Sequence, residues 1–181
     1  MKNRRQSKGK VIRPTFFVFC EGESEEAYVK FLRSKYRLPI EICPSVAGLS
    51  ISKEHIKHFK KDKSIHPKDK DFLIYDLDRD DILERLEMIK GATIISSNPC
   101  LEVWYLFHYV DRRAELTTAQ CLALLRRYLP KYKKGDIGAD LQSTLIKKMD
   151  LAISRARDLP VRTNPSSDMP LFLEALETAS R

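Results

Sequence analysis

Thr15-Phe16-Phe17-Val18-Phe19-Cys20-Glu21-Gly22-Glu23-Ser24-Glu25-Glu26 is a short apolar run that stops at carboxylates and a glycine and then turns helical. An apolar run of this length, closed by a glycine turn, predicts a buried strand. Glu21 then stands at the strand's carboxyl end, where ligand sites of open α/β sheets form. Gly22 supplies backbone freedom for the turn. Ser24 is the expected N-cap, and Glu25 and Glu26 fall in the first helical turn, where the macrodipole favours negative charge. The dipole accounts for Glu25 and Glu26 without any function. It does not account for Glu21, because a carboxylate on the last residue of a buried strand must either be desolvated at considerable cost or face a cleft.

A second stretch ends the same way. Asp71-Phe72-Leu73-Ile74-Tyr75-Asp76-Leu77-Asp78-Arg79-Asp80-Asp81 is an apolar run closing in Asp-x-Asp and followed by a helical pattern, Ile82, Leu83, Leu86 and Ile89, that ends near Gly91. Between the two strands, Tyr28, Phe31, Leu32 and Tyr36 mark an amphipathic helix ending before Pro39. Ile40 to Val46 reads as a strand that Pro44 pushes to a sheet edge. Ser50 or Ser52 caps a helix carrying Ile56 and Phe59. Ala92 to Ser96 is a fourth strand, followed by Ser97-Asn98-Pro99-Cys100-Leu101-Glu102, with Pro99 suited to a first helical turn and Glu102 a further candidate carboxylate. Val103 to Phe107 is apolar around its circumference, which predicts a buried helix and makes Trp104 a core residue. His108, near its end, reads as a helix-terminal cation or a ligand.

Strands alternating with helices predict an α/β fold with a mainly parallel four-stranded sheet and flanking helices. Parallel strands place their acidic tips on one edge. From Asp111 the strand signals end, and Leu122, Leu125 and Leu129, then Leu141, Leu145, Met149, Ala152 and Ala156, then Phe172, Leu176 and Ala179 give three helical periodicities. The expected organisation is a basic arm at residues 1–13, an α/β domain at 14–110 and a helical C-terminal extension at 111–181. Two linkers interrupt the helices: Lys131-Tyr132-Lys133-Lys134-Gly135, basic and aromatic, and Arg162-Thr163-Asn164-Pro165-Ser166-Ser167-Asp168, a turn leading to an N-cap at Ser167 or Asp168.

At 181 residues the chain is long enough for one ordinary domain with a proper core, and its net charge of +8 points to a polyanionic partner, with nucleic acid the first candidate. Cys20, Cys43, Cys100 and Cys121 form no Cys-x-x-Cys pair, so neither a zinc site nor a disulfide framework is indicated. No segment reaches the roughly 18 apolar residues of a membrane helix, the N-terminus lacks a signal-peptide core, and the expected location is the cytoplasm. Six basic and no acidic residues mark Met1 to Arg13 as a solvated arm able to ride on phosphates. Lys57, Lys60, Lys61 and Lys63 run into the loop before the second acidic strand; they read as a solvated face or, next to an acidic site, as nucleic-acid-binding residues.

The acids suit a hard divalent cation. Magnesium or manganese takes oxygen ligands, and magnesium is usually held by one or two carboxylates, waters and substrate phosphates. Asp76 and Asp78 flank one residue, so both point to one side of the strand end. Glu21 offers a further ligand or a general base for the attacking water, and Glu25, one turn into its helix, reaches the same cleft. Two such ions stabilise both the attacking and the leaving oxygen of a phosphodiester. A phosphatase or glycosyltransferase using Asp-x-Asp is an alternative, but the haloacid-dehalogenase type of phosphatase wants its acidic pair on the first strand.

Glu21-Gly22 after one apolar strand and Asp76-x-Asp78 after a later one resemble the Toprim fold of topoisomerases, primases and nucleases of the overcoming-lysogenization-defect type. The longer series of Cys20-Glu21-Gly22-Glu23-Ser24-Glu25, Asp76-x-Asp78, Ser97-Asn98-Pro99-Cys100-Leu101-Glu102-Val103-Trp104, a Tyr-Lys-Lys-Gly run and Asn164-Pro165-Ser166-Ser167 resembles the RloB family, which often has threonine at the position of Ser24. The resemblance implies a prokaryotic protein of restriction-linked or anti-phage defence, a metal-dependent nuclease often encoded beside an ABC-type ATPase. By position, Glu21, Asp76 and Asp78 match the Toprim catalytic and metal acids, with Glu25 and Glu102 as additional ligands. The chain has no Gly-x-x-x-x-Gly-Lys loop, so nucleotide hydrolysis would come from a partner. The expected function is magnesium- or manganese-dependent cleavage of DNA or RNA. The alternative is a non-catalytic effector subunit that binds nucleic acid or an ATPase.

Overall fold

The computed structural model describes residues 14–37, 39–42 and 48–180. The basic arm at 1–13, Cys43, and the part of the expected edge strand that holds Pro44 and Val46 lie outside them.

The chain runs β1 (Phe16–Cys20), α1 (Glu23–Tyr36), β2 (Ile40–Ile42), a 3-10 turn (Gly48–Ser50), α2 (Lys53–Lys60), β3 (Lys70–Asp76), α3 (Asp80–Glu87), β4 (Ala92–Asn98) and α4 (Glu102–Phe107). It continues through α5 (Thr118–Tyr128), α6 (Ala139–Lys147), α7 (Met149–Arg157), β5 (Ser166–Ser167) and α8 (Met169–Ser180). One five-stranded sheet has the order β2-β1-β3-β4-β5. Its first four strands are parallel, and β5 is antiparallel to β4.

The unbroken apolar runs of β1 and β3 have a simple cause. Side chains alternate across a strand, and both faces of this sheet are covered. Phe16, Val18 and Cys20 of β1, with Phe72 and Ile74 of β3, enter one hydrophobic cluster. Phe17 and Phe19, with Leu73 and Tyr75, enter another, beneath Ile56 of α2 and Ile82 and Leu86 of α3. A strand buried on both sides needs apolar residues at every position. The β1 and β3 registers align Phe16 with Lys70 and Cys20 with Ile74, which brings their carboxyl ends side by side.

The larger cluster crosses Asp111. It joins β1, β3, α1 and α4 to Leu125 of α5, Leu145 of α6, Ala152 of α7 and Phe172 of α8. The Phe172 ring meets Phe72 of β3 edge-on at 4.9 Å between centroids. α4 is buried all round, and its Trp104 Nε1 donates to Tyr28 OH at 2.7 Å.

Three local features differ from the sequence reading. Residues 166 and 167, read as a turn, pair with β4 as β5: Ser97 and Ser167 hydroxyls lie 3.0 Å apart and the Asp168 N–H donates to the Ser96 carbonyl at 2.8 Å. The periodicity from Leu141 to Ala156 is two helices, divided at Lys148 (φ −114°, ψ 18°), because the apolar spacing carries across the break. Pro99 precedes its helix instead of opening it; α4 begins at Glu102. Among the described residues, no helix is long and apolar enough to cross a membrane.

Candidate active site at the carboxyl edge of the sheet

Glu21 follows β1 and Asp76 closes β3. The Glu21 N–H donates to the Ile74 carbonyl at 3.1 Å, and the Asp76 N–H donates to Glu21 Oε2 at 2.9 Å. Asp76 Oδ1 in turn accepts the Leu101 N–H at 2.8 Å, just ahead of α4. Two strand tips and the start of a helix are therefore tied together through carboxylates. Glu25 and Glu102 join them from α1 and α4.

The turn between β1 and α1 is built around Glu25. Gly22 is the N-cap of α1 and its N–H donates to Glu25 Oε2 at 2.8 Å. Its backbone is extended (φ −144°, ψ −173°), a conformation open to any residue. The fit is close: a Cβ at position 22 would stand 3.0 Å from Glu25 Oε2, and that carboxylate would have to give by a few tenths of an ångström. Ser24 is therefore not the cap. Its hydroxyl donates to Glu102 Oε1 at 3.1 Å and accepts the Gly135 N–H at 3.2 Å. Tyr132 OH also donates to Glu102 Oε1, at 2.9 Å. The loop between α5 and α6 thus closes over the acids.

Burial and mutual repulsion disfavour ionisation here. Desolvation raises the Glu21 pKa, and the nearby Asp78 adds to the rise despite the Asp76 N–H. Burial, with repulsion from Glu102 and Glu21, pushes Glu25 to about 7. Asp76 is raised well above the ordinary range, first by burial and then by Glu25, Glu21 and Glu102. Lys134 is the cation that offsets them in part. Burial works against its charge, but Glu102, Asp76 and Glu25 outweigh burial and hold its pKa above the usual lysine value. Glu25 Oε1 and Glu102 Oε2 are buried with no hydrogen-bond partner.

This is the chemistry of a site short of positive charge. Hard carboxylate oxygens, two of them unpartnered, fit magnesium or manganese in donor type. The arrangement is not a preformed cage: among the described residues, no group of three or more His, Cys, Asp and Glu is placed to hold one metal ion. The oxygens of Glu21, Glu25 and Asp76 that accept backbone N–H groups are engaged there. Asp78 is exposed at the mouth of the cluster and lines a groove of about 740 Å³ with Asn98, Pro99, Glu115, Thr117 and Asn164.

The candidate nucleic-acid-binding lysines lie elsewhere. Lys60 pairs with Asp71 at 2.8 Å, at the opposite end of β3. Asp76 lies five residue steps along the strand from Asp71, about 16 Å at about 3.3 Å per residue. Lys63 pairs with Glu41 of the edge strand, while Lys57 and Lys61 are exposed on and just after α2. Burial opposes the reading of His108 as a helix-terminal cation. The residue is buried, its Nδ1 lies 2.9 Å from the Trp104 carbonyl, and burial lowers its pKa to about 4. Cys20, Cys100 and Cys121 are buried and form no disulfide among the described residues.

Sequence reasoning missed Ser24, Tyr132 and Lys134 as parts of this assembly. The available signal was the Lys131-Tyr132-Lys133-Lys134-Gly135 run, whose composition says nothing about which strand edge it covers. Comparison with curated proteins and with solved structures yields no match. The family model described as RloB-like protein matches residues 16–176, from the first residue of β1 into the last helix. The chain belongs to the RloB-like protein family.

Proposed function

We propose that this protein is a divalent-metal-dependent nuclease of the Toprim type that hydrolyses phosphodiester bonds in nucleic acid, in prokaryotic anti-phage or restriction-linked defence. One observation carries the reading: Glu21 and Asp76 meet at adjacent strand ends, with Glu25 and Glu102 beside them and Lys134 opposing their charge. The association of RloB and Toprim domains with nucleic-acid metabolism is in keeping with it.

Asp76, Asp78 and Glu21 are the residues assigned to hold magnesium or manganese, with Glu25 and Glu102 adding negative charge. A bound cation of this kind supplies Lewis-acid polarisation of a phosphoryl oxygen. Magnesium keeps several waters and takes ligands from substrate phosphate, so one or two carboxylates are enough to hold it. Glu21, where it does not serve as a ligand, is the general base that removes a proton from the attacking water; burial raises its pKa and so its affinity for that proton. Lys134 faces the charge that develops on the phosphate. An ABC-type ATPase is the partner this reading implies for any nucleotide hydrolysis, and the cytoplasm is the compartment.

The test is cleavage of single-stranded and duplex DNA and RNA with magnesium or manganese, wild type against Asp76→Asn. Asparagine keeps an oxygen for the Leu101 N–H and removes the charge. The expected result is divalent-dependent cleavage in the wild type and a loss of about a hundredfold or more in the variant. Equal cleavage by both overturns the assignment. Salt-sensitive binding with no cleavage under any metal condition assigns the chain instead as a non-catalytic binding subunit.

A further inference from the structure

A second groove, of about 550 Å³, lies between α4, α5 and α6, and its walls include Tyr109, Tyr128, Lys131, Lys133, Asp136 and Asp140. Tyr109 and Tyr128 stack with centroids 5.0 Å apart and planes 21° from parallel. Lys148 Nζ lies over the Tyr109 ring at 5.4 Å from its centroid. Tyr109 thus meets both a second ring and an ammonium. Tyr128 is 43% exposed and lines the groove, with its ring stacked against Tyr109.

The groove adjoins the carboxylate cluster across Tyr132. Tyr132 lines it and also donates to Glu102. Lys131 and Lys133 line it, and Lys134, next in the chain, opposes Glu102 and Asp76. Lys131 and Lys134 are separated by at most about 10 Å of extended chain. Unlike Lys60 and Lys63, neither Lys131 nor Lys133 forms an ion pair among the described residues.

The lining holds two lysines and two aspartates, so the groove as a whole is close to neutral, and a neutral flat ring fits its volume beside the tyrosines. Every nucleobase has such a face, and aromatic platforms flanked by cations are how single strands are held. A paired base has both faces covered by its neighbours and cannot reach the platform without leaving the stack. We propose that this groove is a subsite for one unpaired nucleobase, stacked on the exposed part of the Tyr128 ring, with its flanking phosphates on Lys131 and Lys133. This rests on the nuclease reading for its purpose, since the base it holds belongs to a nucleotide close to the bond cleaved, but binding there needs no catalysis.

The experiment is fluorescence anisotropy of the full chain with labelled single-stranded DNA and RNA of roughly ten nucleotides, and with the matching duplexes, in excess chelator so that nothing is cleaved. Wild type should bind the single strands more tightly than the duplexes. Tyr128→Ala should weaken single-strand binding about tenfold or more, and Tyr128→Phe, which keeps the ring, should bind within about twofold of wild type. Tyr128→Trp places a surface indole against the constant emission of the buried Trp104, and a single strand should quench it. Equal affinity for single strand and duplex, unchanged binding by Tyr128→Ala, or no quenching in Tyr128→Trp overturns the subsite. A chain that binds single strands through Tyr128 yet cleaves nothing with metal keeps this inference and removes the nuclease.

Discussion

Replacing Glu25 by glutamine should change how stability depends on pH more than it changes stability itself. In the folded chain the Glu25 carboxyl has its pKa raised from 4.5 to about 7, by burial and by Glu102 and Glu21. A carboxyl with a higher pKa folded than unfolded takes up a proton on folding between those values. Its charged form is therefore a penalty that is absent below about pH 4.5, grows as pH rises, and is complete above about pH 7. At about 1.4 kcal/mol per pH unit, this comes to roughly 3 kcal/mol.

His108 works in the other direction. Its pKa falls from 6.5 to about 4 on folding, so its contribution is complete above 6.5 and is lost as pH falls towards 4. The two slopes oppose each other across the same window, and a flat wild-type profile says nothing about either group. The difference between Glu25→Gln and wild type isolates one of them. Urea denaturation from about pH 5 to about pH 8 should show this difference moving in the variant's favour by roughly 2.5 kcal/mol as pH rises. A constant offset of about 1–3 kcal/mol accompanies it, because a buried amide N–H₂ replaces the unpartnered Glu25 Oε1. Asp76 is raised partly by Glu25, so the variant also relieves that carboxyl and steepens the difference. Parallel profiles would refute the claim that Glu25 is held partly protonated by its neighbours.

Two further substitutions test the packing behind the site. Trp104→Phe removes the 2.7 Å bond to the buried Tyr28 hydroxyl and leaves a gap at the centre of the larger cluster; a loss of about 2–4 kcal/mol in chemical denaturation is expected, and a loss under about 1 kcal/mol would show that the bond is dispensable. Gly135 sits at φ 78°, and a Cβ there would meet Glu23 Cβ at 3.2 Å. Gly135→Ala should cost about 1–2 kcal/mol, displace the neighbouring Lys134, and lower cleavage by more than the change in folded fraction; cleavage that falls only with folded fraction would detach Lys134 from the chemistry.

β1, β3, β4 and the helices between them are legible in the amino-acid order, because a parallel strand covered on both faces must be apolar at every position and a surface helix must be apolar on one stripe. For the same reason Glu21 and Asp76 stand out: each is a charge where a buried run should continue. Gly22 is visible as a turn residue, but its close fit against the Glu25 carboxylate exists only once α1 folds back on β1. β5 consists of Ser166 and Ser167, with no apolar pattern to announce them; it is a strand because β4 presents free backbone and hydroxyl partners there. The charge runs show the limit most clearly. Lys57, Lys60, Lys61 and Lys63 precede the acidic strand in the chain yet sit towards its far end, while Lys134, more than fifty residues beyond Asp76, reaches the carboxylates. Strand and helix periods are local and are written in neighbouring residues. Which cation meets which acid is set by loop closure and sheet direction, and these exist only in the folded chain.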